Sequence, residues 1–225
     1  MKIVVLHGQS HKGSTWHVAR LLLDELSNKT DALTEFQTNG INPCIGCFSC
    51  IVKDDSLCPH RASVGEIIEA IEQADVVIAE SPNYCMGMSG QLKMLFDHMG
   101  YRWMSHRPHH SMSRKIGIAI FTASGMGAGR VTKDISRQMF WWGVAKTYRL
   151  PFTVAAMNWD EVKEERKIKL QIKAKKLAVR IIKRLPKIKP GIQSRFMFGI
   201  MRSMQKGKMS WNPVDRKYWE DNGWI

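Results

Sequence analysis

Cys44, Cys47, Cys50 and Cys58 form a CxxCxxC run followed by seven residues and a fourth cysteine. Three close thiolates can surround one face of a cubane cluster, and a fourth nearby can complete a [4Fe–4S] site. Other chemistries suit the same residues. Four thiolates can hold zinc, although zinc more often takes two separated pairs. Neighbouring thiols can cycle as a dithiol, or four small side chains can simply fill a compact loop. The fifth cysteine, Cys85, stands alone, and an odd count argues against a disulfide scaffold.

A second group of residues points to an anion. In Gly8-Gln9-Ser10-His11-Lys12-Gly13-Ser14-Thr15, two glycines permit tight turns, and Ser10, Ser14 and Thr15 bring hydroxyls beside a helix start. Helix N–H groups and the helix dipole suit a terminal phosphate. The run is neither a P-loop, GxxxxGK[ST], nor a dinucleotide GxGxxG, and a ligand-free βα turn is the competing reading. Polar and glycine residues recur at 81–87 and 122–129.

These three loops need elements to bring them together. Residues 2–7, 75–80 and 115–121 are short apolar runs that read as buried strands, with a weaker strand at 33–37 and a last one at 148–153. Pro151 places that last strand at an edge. Apolar residues at helical spacing predict helices from Thr15 to Leu26, from Gln91 to Met99, and from the 124–129 turn to about Trp142. Ser63 with Glu66 predicts a capped helix start before Ile67, Ile68 and Ile71. Strands alternating with helices require right-handed crossovers and a mostly parallel sheet. Ligands of such sheets sit at the carboxyl ends of the strands, where all three loops fall.

The 225 residues, 44% hydrophobic and 24% charged, suit one α/β domain and exclude a disordered, collagen-like or disulfide-stapled chain. The N-terminus lacks a signal-peptide core and no apolar run approaches membrane-spanning length, so a soluble cytoplasmic protein is expected. Residues 160–225 carry 18 basic and 7 acidic side chains, against 16 and 13 in residues 1–159, so most of the net +14 lies in this last segment. Residues 161–185 read as a long basic helix with an apolar stripe, ended by Pro186 and Pro190. Domain bounds are expected at 1–185, with 186–225 an extension packing on the domain or on a partner subunit. Its apolar run Phe196, Met197, Phe198, Ile200, Met201 and Met204, beside Arg202, Lys206 and Lys208, also fits an anionic membrane surface. No module supports nucleic-acid binding. His106, His109 and His110 lack HExxH spacing and are expected in solvent or at the mouth of a dimer pocket. Trp141, Trp142, Trp211, Trp219 and Trp224 are expected to anchor the core or an interface.

The chain resembles the flavodoxin-like NAD(P)H-dependent FMN reductases, especially the branch that includes the iron–sulfur flavoproteins. GQSHKGST, NPCIGCFSC with Cys58, SPNYCMGMSGQLKMLFD and TASGMGAG carry the resemblance, in order over residues 1 to about 150. The closing WNPVDRKYWEDNGW is also similar to tails of some members. Where members commonly have GSPR, this chain has GQSHK, without the Pro at residue 10 and the Arg at residue 11.

The resemblance implies a three-layer α/β/α sandwich with a parallel five-stranded sheet, order 2-1-3-4-5. It implies FMN, with Ser10, Lys12, Gly13, Ser14 and Thr15 around the phosphate. Pro82, Asn83, Tyr84, Cys85, Met86 and Gly87 would run beside the isoalloxazine, and Ser124, Gly125, Met126 and Gly127 would close the opposite side. It implies NAD(P)H as reductant, a small-molecule or protein acceptor, and a homodimer, with no separate catalytic side chain. Within the branch, Cys44, Cys47, Cys50 and Cys58 are cluster ligands in some members and free thiols in others. Two rival functions remain: an iron–sulfur electron carrier, and a flavodoxin-like binding protein without turnover.

Overall fold

A computed structural model of the chain describes residues 1–125 and 128–225. Its strands are β1 (Lys2–His7), β2 (Ala32–Gln37), β3 (Val76–Pro82), β4 (Ile116–Ala123) and β5 (Lys146–Thr153). Its helices are α1 (Ser14–Leu26), α2 (Ser49–Val52), α3 (Arg61–Gln73), α4 (Gly90–His98), α5 (Ala128–Trp141), α6 (Glu164–Arg184), α7 (Ile192–Lys206) and α8 (Pro213–Asp221).

The five strands are parallel throughout, in the order β2-β1-β3-β4-β5. Parallel sheets are covered on both faces, so their strands read as continuous apolar runs rather than alternating ones. Alternation then sorts the side chains between two cores. Val4, Leu6, Val77 and Phe121 face α3, α4 and α5 on one side. Ile3, Val5, Ile78 and Ile118 face α1 and α6 on the other. This is the expected three-layer sandwich. β5 takes the edge that Pro151 requires, since a strand with one neighbour has half of its N–H groups outside the ladder.

The expected cap of α3 is corrected. The helix opens three residues earlier, at Arg61 behind His60, without a side-chain cap. Ser63 lies inside its first turn and donates its hydroxyl to the His60 carbonyl at 2.9 Å. A serine can satisfy itself on a backbone carbonyl inside a helix as well as cap one, which the spacing to Glu66 does not distinguish.

Residues 192–221 form α7 and α8, joined to the rest of the chain by an aromatic cluster. Trp219, fully buried, stacks on Phe198 at 4.9 Å, and its indole donates to the His106 carbonyl at 2.5 Å. No helix is long and apolar enough to cross a membrane among the described residues.

Candidate functional site

The turn after β1 is packed so closely that its first residue has to be glycine. A Cβ on Gly8 would lie 2.6 Å from the Glu80 carbonyl oxygen and 2.7 Å from Ser89 Oγ. The Gly8 N–H donates to that same carbonyl at 2.9 Å, binding the turn to β3. α1 then opens behind Gly13 with no side-chain cap. The N–H groups of its first turn therefore lack intrahelical acceptors and face an anion's natural position.

Beneath the turn lies a buried polar network. The Gln9 amide donates to both Glu80 carboxylate oxygens, at 2.7 and 2.8 Å. His7 Nδ1 lies 2.7 Å from Glu80 Oε1, and His7 Nε2 lies 2.9 Å from Glu35 Oε2. Arg20 closes the network on Glu35. Carboxylates only accept, so they draw the N–H groups of Gln9 and His7 towards themselves. Gln9 Oε1 is consequently buried without a donor among the described residues, as is Gln91 Oε1 beside Ser10.

Several expected phosphate residues already have partners. The Thr15 hydroxyl lies 2.5 Å from the Thr122 hydroxyl, linking α1 to the end of β4. Lys12 Nζ stands over the Trp16 ring, 5.2 Å from its centre. Ser10 is exposed, and Ser14 is half-buried at the head of α1.

The loop after β3 is a tight hairpin. Tyr84 and Gly87 exchange backbone hydrogen bonds of 3.1 and 2.9 Å. Between them, Cys85 and Met86 have φ of +51° and +63°, the left-handed region that β-substituted residues rarely adopt. Two consecutive residues there make a type I′ turn, usually built from Asn-Gly. The turn displays Tyr84 and Met86, both about half exposed. Asn83 N–H donates to the Thr122 carbonyl at 3.1 Å, so the hairpin root, α1 and β4 share one junction. Ser124 and Gly125 follow β4 at the same end, both exposed. Met126 and Gly127 lie outside the described residues.

These surroundings fit FMN. The uncapped helix start offers donors to a phosphate, the buried Gln9 and Gln91 oxygens need hydroxyl donors such as a ribityl chain carries, and the exposed Tyr84 and Met86 offer apolar surface to a ring. Thr122, Gln9, Glu80 and His7 were not singled out in the sequence. Their only signal is position: each lies in or next to the last residues of a strand feeding a polar loop.

The matched family profile covers residues 1–160 and is that of the NADPH-dependent FMN reductases. The chain belongs to this family. Its activity class is therefore FMN-dependent oxidoreduction with a reduced nicotinamide as donor. An iron–sulfur flavoprotein of Methanocaldococcus jannaschii is 32% identical over 136 residues, 59% of this chain and 67% of that protein. A second, from Archaeoglobus fulgidus, is 29% identical over 148 residues, 64% of each chain. In fold, the chain is similar to a solved NAD(P)H:quinone oxidoreductase of Methanothermobacter marburgensis. The TM-score is 0.60 at 15% identity, over 79% of this chain and 96% of that one.

The cysteine loop leaves the carboxyl end of β2, the same end of the sheet as the loops after β1, β3 and β4. Cys44 and Cys47 are exposed, and Cys50 and Cys58 half-buried. Burial, then the nearby Cys58, Cys44 and Cys47, push the Cys50 thiol up to about 11. A hydrogen bond from the Ser49 side chain lowers Cys47. Four thiols have the donor chemistry of a cluster, but among the described residues no three His, Cys, Asp or Glu side chains are placed to hold a metal ion.

The expected solvent position of the histidines is corrected in part. His106 Nδ1 lies 2.7 Å from Asp215 Oδ2, a fully buried carboxylate on α8. The long reach from residue 106 to residue 215 cannot be read from local spacing. His110 is exposed and His109 half-buried. Trp211 is exposed rather than an anchor within this chain, whereas Trp142 and Trp219 are fully buried.

Proposed function

We propose that the chain holds FMN across the carboxyl ends of β1, β3 and β4 and passes electrons from NAD(P)H to a small-molecule or protein acceptor. The observation that carries this reading is the uncapped start of α1 behind Gly13, beside the turn that Gly8 fastens to β3. Ser10, Lys12, Gly13, Ser14 and Thr15 hold the phosphate, chiefly through backbone N–H groups, because Thr15 and Lys12 already have partners. Residues 82–87 support the ring, and Ser124, Gly125, Met126 and Gly127 close its other side.

When bound, FMN accepts two electrons from a nicotinamide and yields them to a second acceptor, chemistry that belongs to the cofactor. The chain's own contribution is positioning. The rigid Tyr84–Gly87 hairpin fixes the backbone beside the ring, and the Gln9–Glu80 pair fixes the phosphate turn. No side chain need act as acid or nucleophile, since hydride transfer depends on proximity and orientation. A second subunit covers this end of the molecule in our reading. Ile45, Phe48 and Leu57 of the cysteine loop, like Tyr84 and Met86, are large exposed apolar residues, and such patches mark interaction surfaces.

The test is an anaerobic titration of the flavin-loaded protein with NADH and with NADPH. Bleaching of the flavin bands by either supports the reductase, and bleaching by neither sinks it. A second reading, an electron carrier with a [4Fe–4S] cluster on Cys44, Cys47, Cys50 and Cys58, is favoured by the four thiols on one loop and by the names of the relatives. Iron and acid-labile sulfide of about four each per chain would support it. Their absence after anaerobic reconstitution would dismiss it.

A further inference from the structure

At the other end of the sheet lies a cavity of about 530 Å³. Met112, Ser113 and Arg114 border it immediately before β4, and Trp142 and Gly143 immediately before β5. It thus sits at the amino ends of the strands, whereas the FMN loops sit at the carboxyl ends.

α7 supplies the far wall. Arg195, Phe198, Gly199 and Arg202 line the cavity at the i, i+3, i+4, i+7 spacing that puts residues on one helix face. Gly199 matters because it lacks a side chain: nothing lies within 4 Å of where its Cβ would be. The apolar lining comes from Met104, Met112, Trp142, Phe198 and Trp224.

The charge around this lining is of one sign. Arg114, Arg195 and Arg202 all border the cavity, and no Asp or Glu does. Five other arginines, Arg20, Arg61, Arg102, Arg107 and Arg216, each meet a carboxylate, and the remaining arginines lie outside the cavity lining. The three that border the cavity have no carboxylate partner among the described residues. One buried orphan lies in the wall. Trp142 is fully buried, yet its indole N–H has no acceptor among the described residues. Buried donors are nearly always satisfied, so an orphan asks for a ligand or water.

We propose that this cavity is a second ligand site, for a small organic anion with an aromatic body, of the aryl carboxylate or aryl sulfonate class. The arginine forks receive the anionic group, and the aromatic and methionine walls receive the ring. A free inorganic ion would leave the apolar walls unused, and a neutral ring would make no use of the three exposed guanidinium groups that border them. The site is separate from the flavin loops and does not depend on how they work.

The test is a fluorescence titration of the FMN-loaded chain with anilinonaphthalene sulfonate, with neutral phenylnaphthylamine as its uncharged counterpart. The expected result is saturable binding of one sulfonate per chain, with the neutral probe about tenfold weaker or worse. Arg195→Ala with Arg202→Ala removes the charge, and Gly199→Leu fills the space. Each weakens the sulfonate by about tenfold or more while FMN content stays unchanged. The surface position of the two arginines protects the test should the glycine variant fail to fold. Equal affinity for the neutral probe, or no response to the arginine change, overturns the proposal. So does displacement of the probe when the chain binds phosphatidylglycerol vesicles, which would assign the basic face to a lipid surface.

Discussion

Glu80 receives both N–H bonds of the Gln9 amide, at 2.7 and 2.8 Å, and is itself fully buried. The pair joins the last turn of β3 to the loop after β1, and so sets where the helix start behind Gly13 lies. Glu80→Gln turns one carboxylate oxygen into an NH₂ that confronts the Gln9 NH₂. Hydrogen bonds to charged groups are worth about 1.5–3 kcal/mol, so FMN affinity is expected to fall by about tenfold or more. Riboflavin, which lacks the phosphate, should lose much less. Equal losses for both ligands would show that Glu80 supports the fold as a whole rather than the phosphate turn.

Cys85 and Met86 hold left-handed backbone that glycine and asparagine tolerate better. Each such residue costs on the order of 1–3 kcal/mol. Cys85→Asn with Met86→Gly should therefore raise stability in urea by about 1 kcal/mol or more, while weakening flavin binding if, as proposed, Met86 supports the ring. Chemical denaturation checks the first effect and flavin affinity the second. An unchanged urea midpoint would mean that the hairpin adopts another backbone in solution.

The four loop thiols are expected to react in a fixed order. Cys47 is exposed and its thiol is lowered by Ser49, whereas burial raises Cys50 to about 11. The thiolate is the reactive form. Brief treatment with iodoacetamide near neutral pH should label Cys47 ahead of Cys50, read by peptide mass spectrometry. Cys50 labelling as fast as Cys47 would contradict the burial seen here.

Lys115 is a buried lysine whose ammonium donates to the Glu72 carbonyl at 2.7 Å and to that of Ala74. Burial lowers its pKa to about 8, against the opposing pull of Asp75 and Glu72. The unfolded chain then holds more protons than the folded one from about pH 8 up to the ordinary lysine range. The Lys115 contribution to stability accordingly rises with pH across that window. Subtracting the stability profile of Lys115→Met from that of the unaltered chain should isolate this rise. A flat difference between pH 8 and the ordinary lysine range would refute the shift.

Asp215 on α8 ties the C-terminal segment to the cysteine loop through its neighbours. It holds His106 at 2.7 Å and lies 3.9 Å from Arg107, which donates to the Cys50 carbonyl. Asn212 donates to the Ile51 carbonyl at 2.8 Å. Removing one side of a buried ion pair costs about 3–5 kcal/mol, so Asp215→Ala should destabilise the chain by an amount of that order. Amide exchange at residues 50–53 should quicken further than at β1 or β4. Uniform quickening would make the contact a global one instead.

The strands were legible because a parallel sheet buried on both faces demands unbroken apolar runs, and 2–7, 75–80 and 115–121 supply them. The turn after β1 was legible because glycine and hydroxyl residues before a helix mark a tight βα connection. Both are local properties, so the sequence by itself determined the sandwich, the loops at its carboxyl ends and the family to which they belong. Pairings between distant residues were not local. Gln9 with Glu80, Thr15 with Thr122 and His106 with Asp215 span 71, 107 and 109 residues, and no periodicity encodes them. Nor did Arg114 announce that it would border one cavity with Arg195 and Arg202. Hydrophobic burial is non-directional and sets which residues are inside, whereas hydrogen bonds and charge pairs need atoms placed within about 3 Å. Only the packed tertiary structure decides that placement.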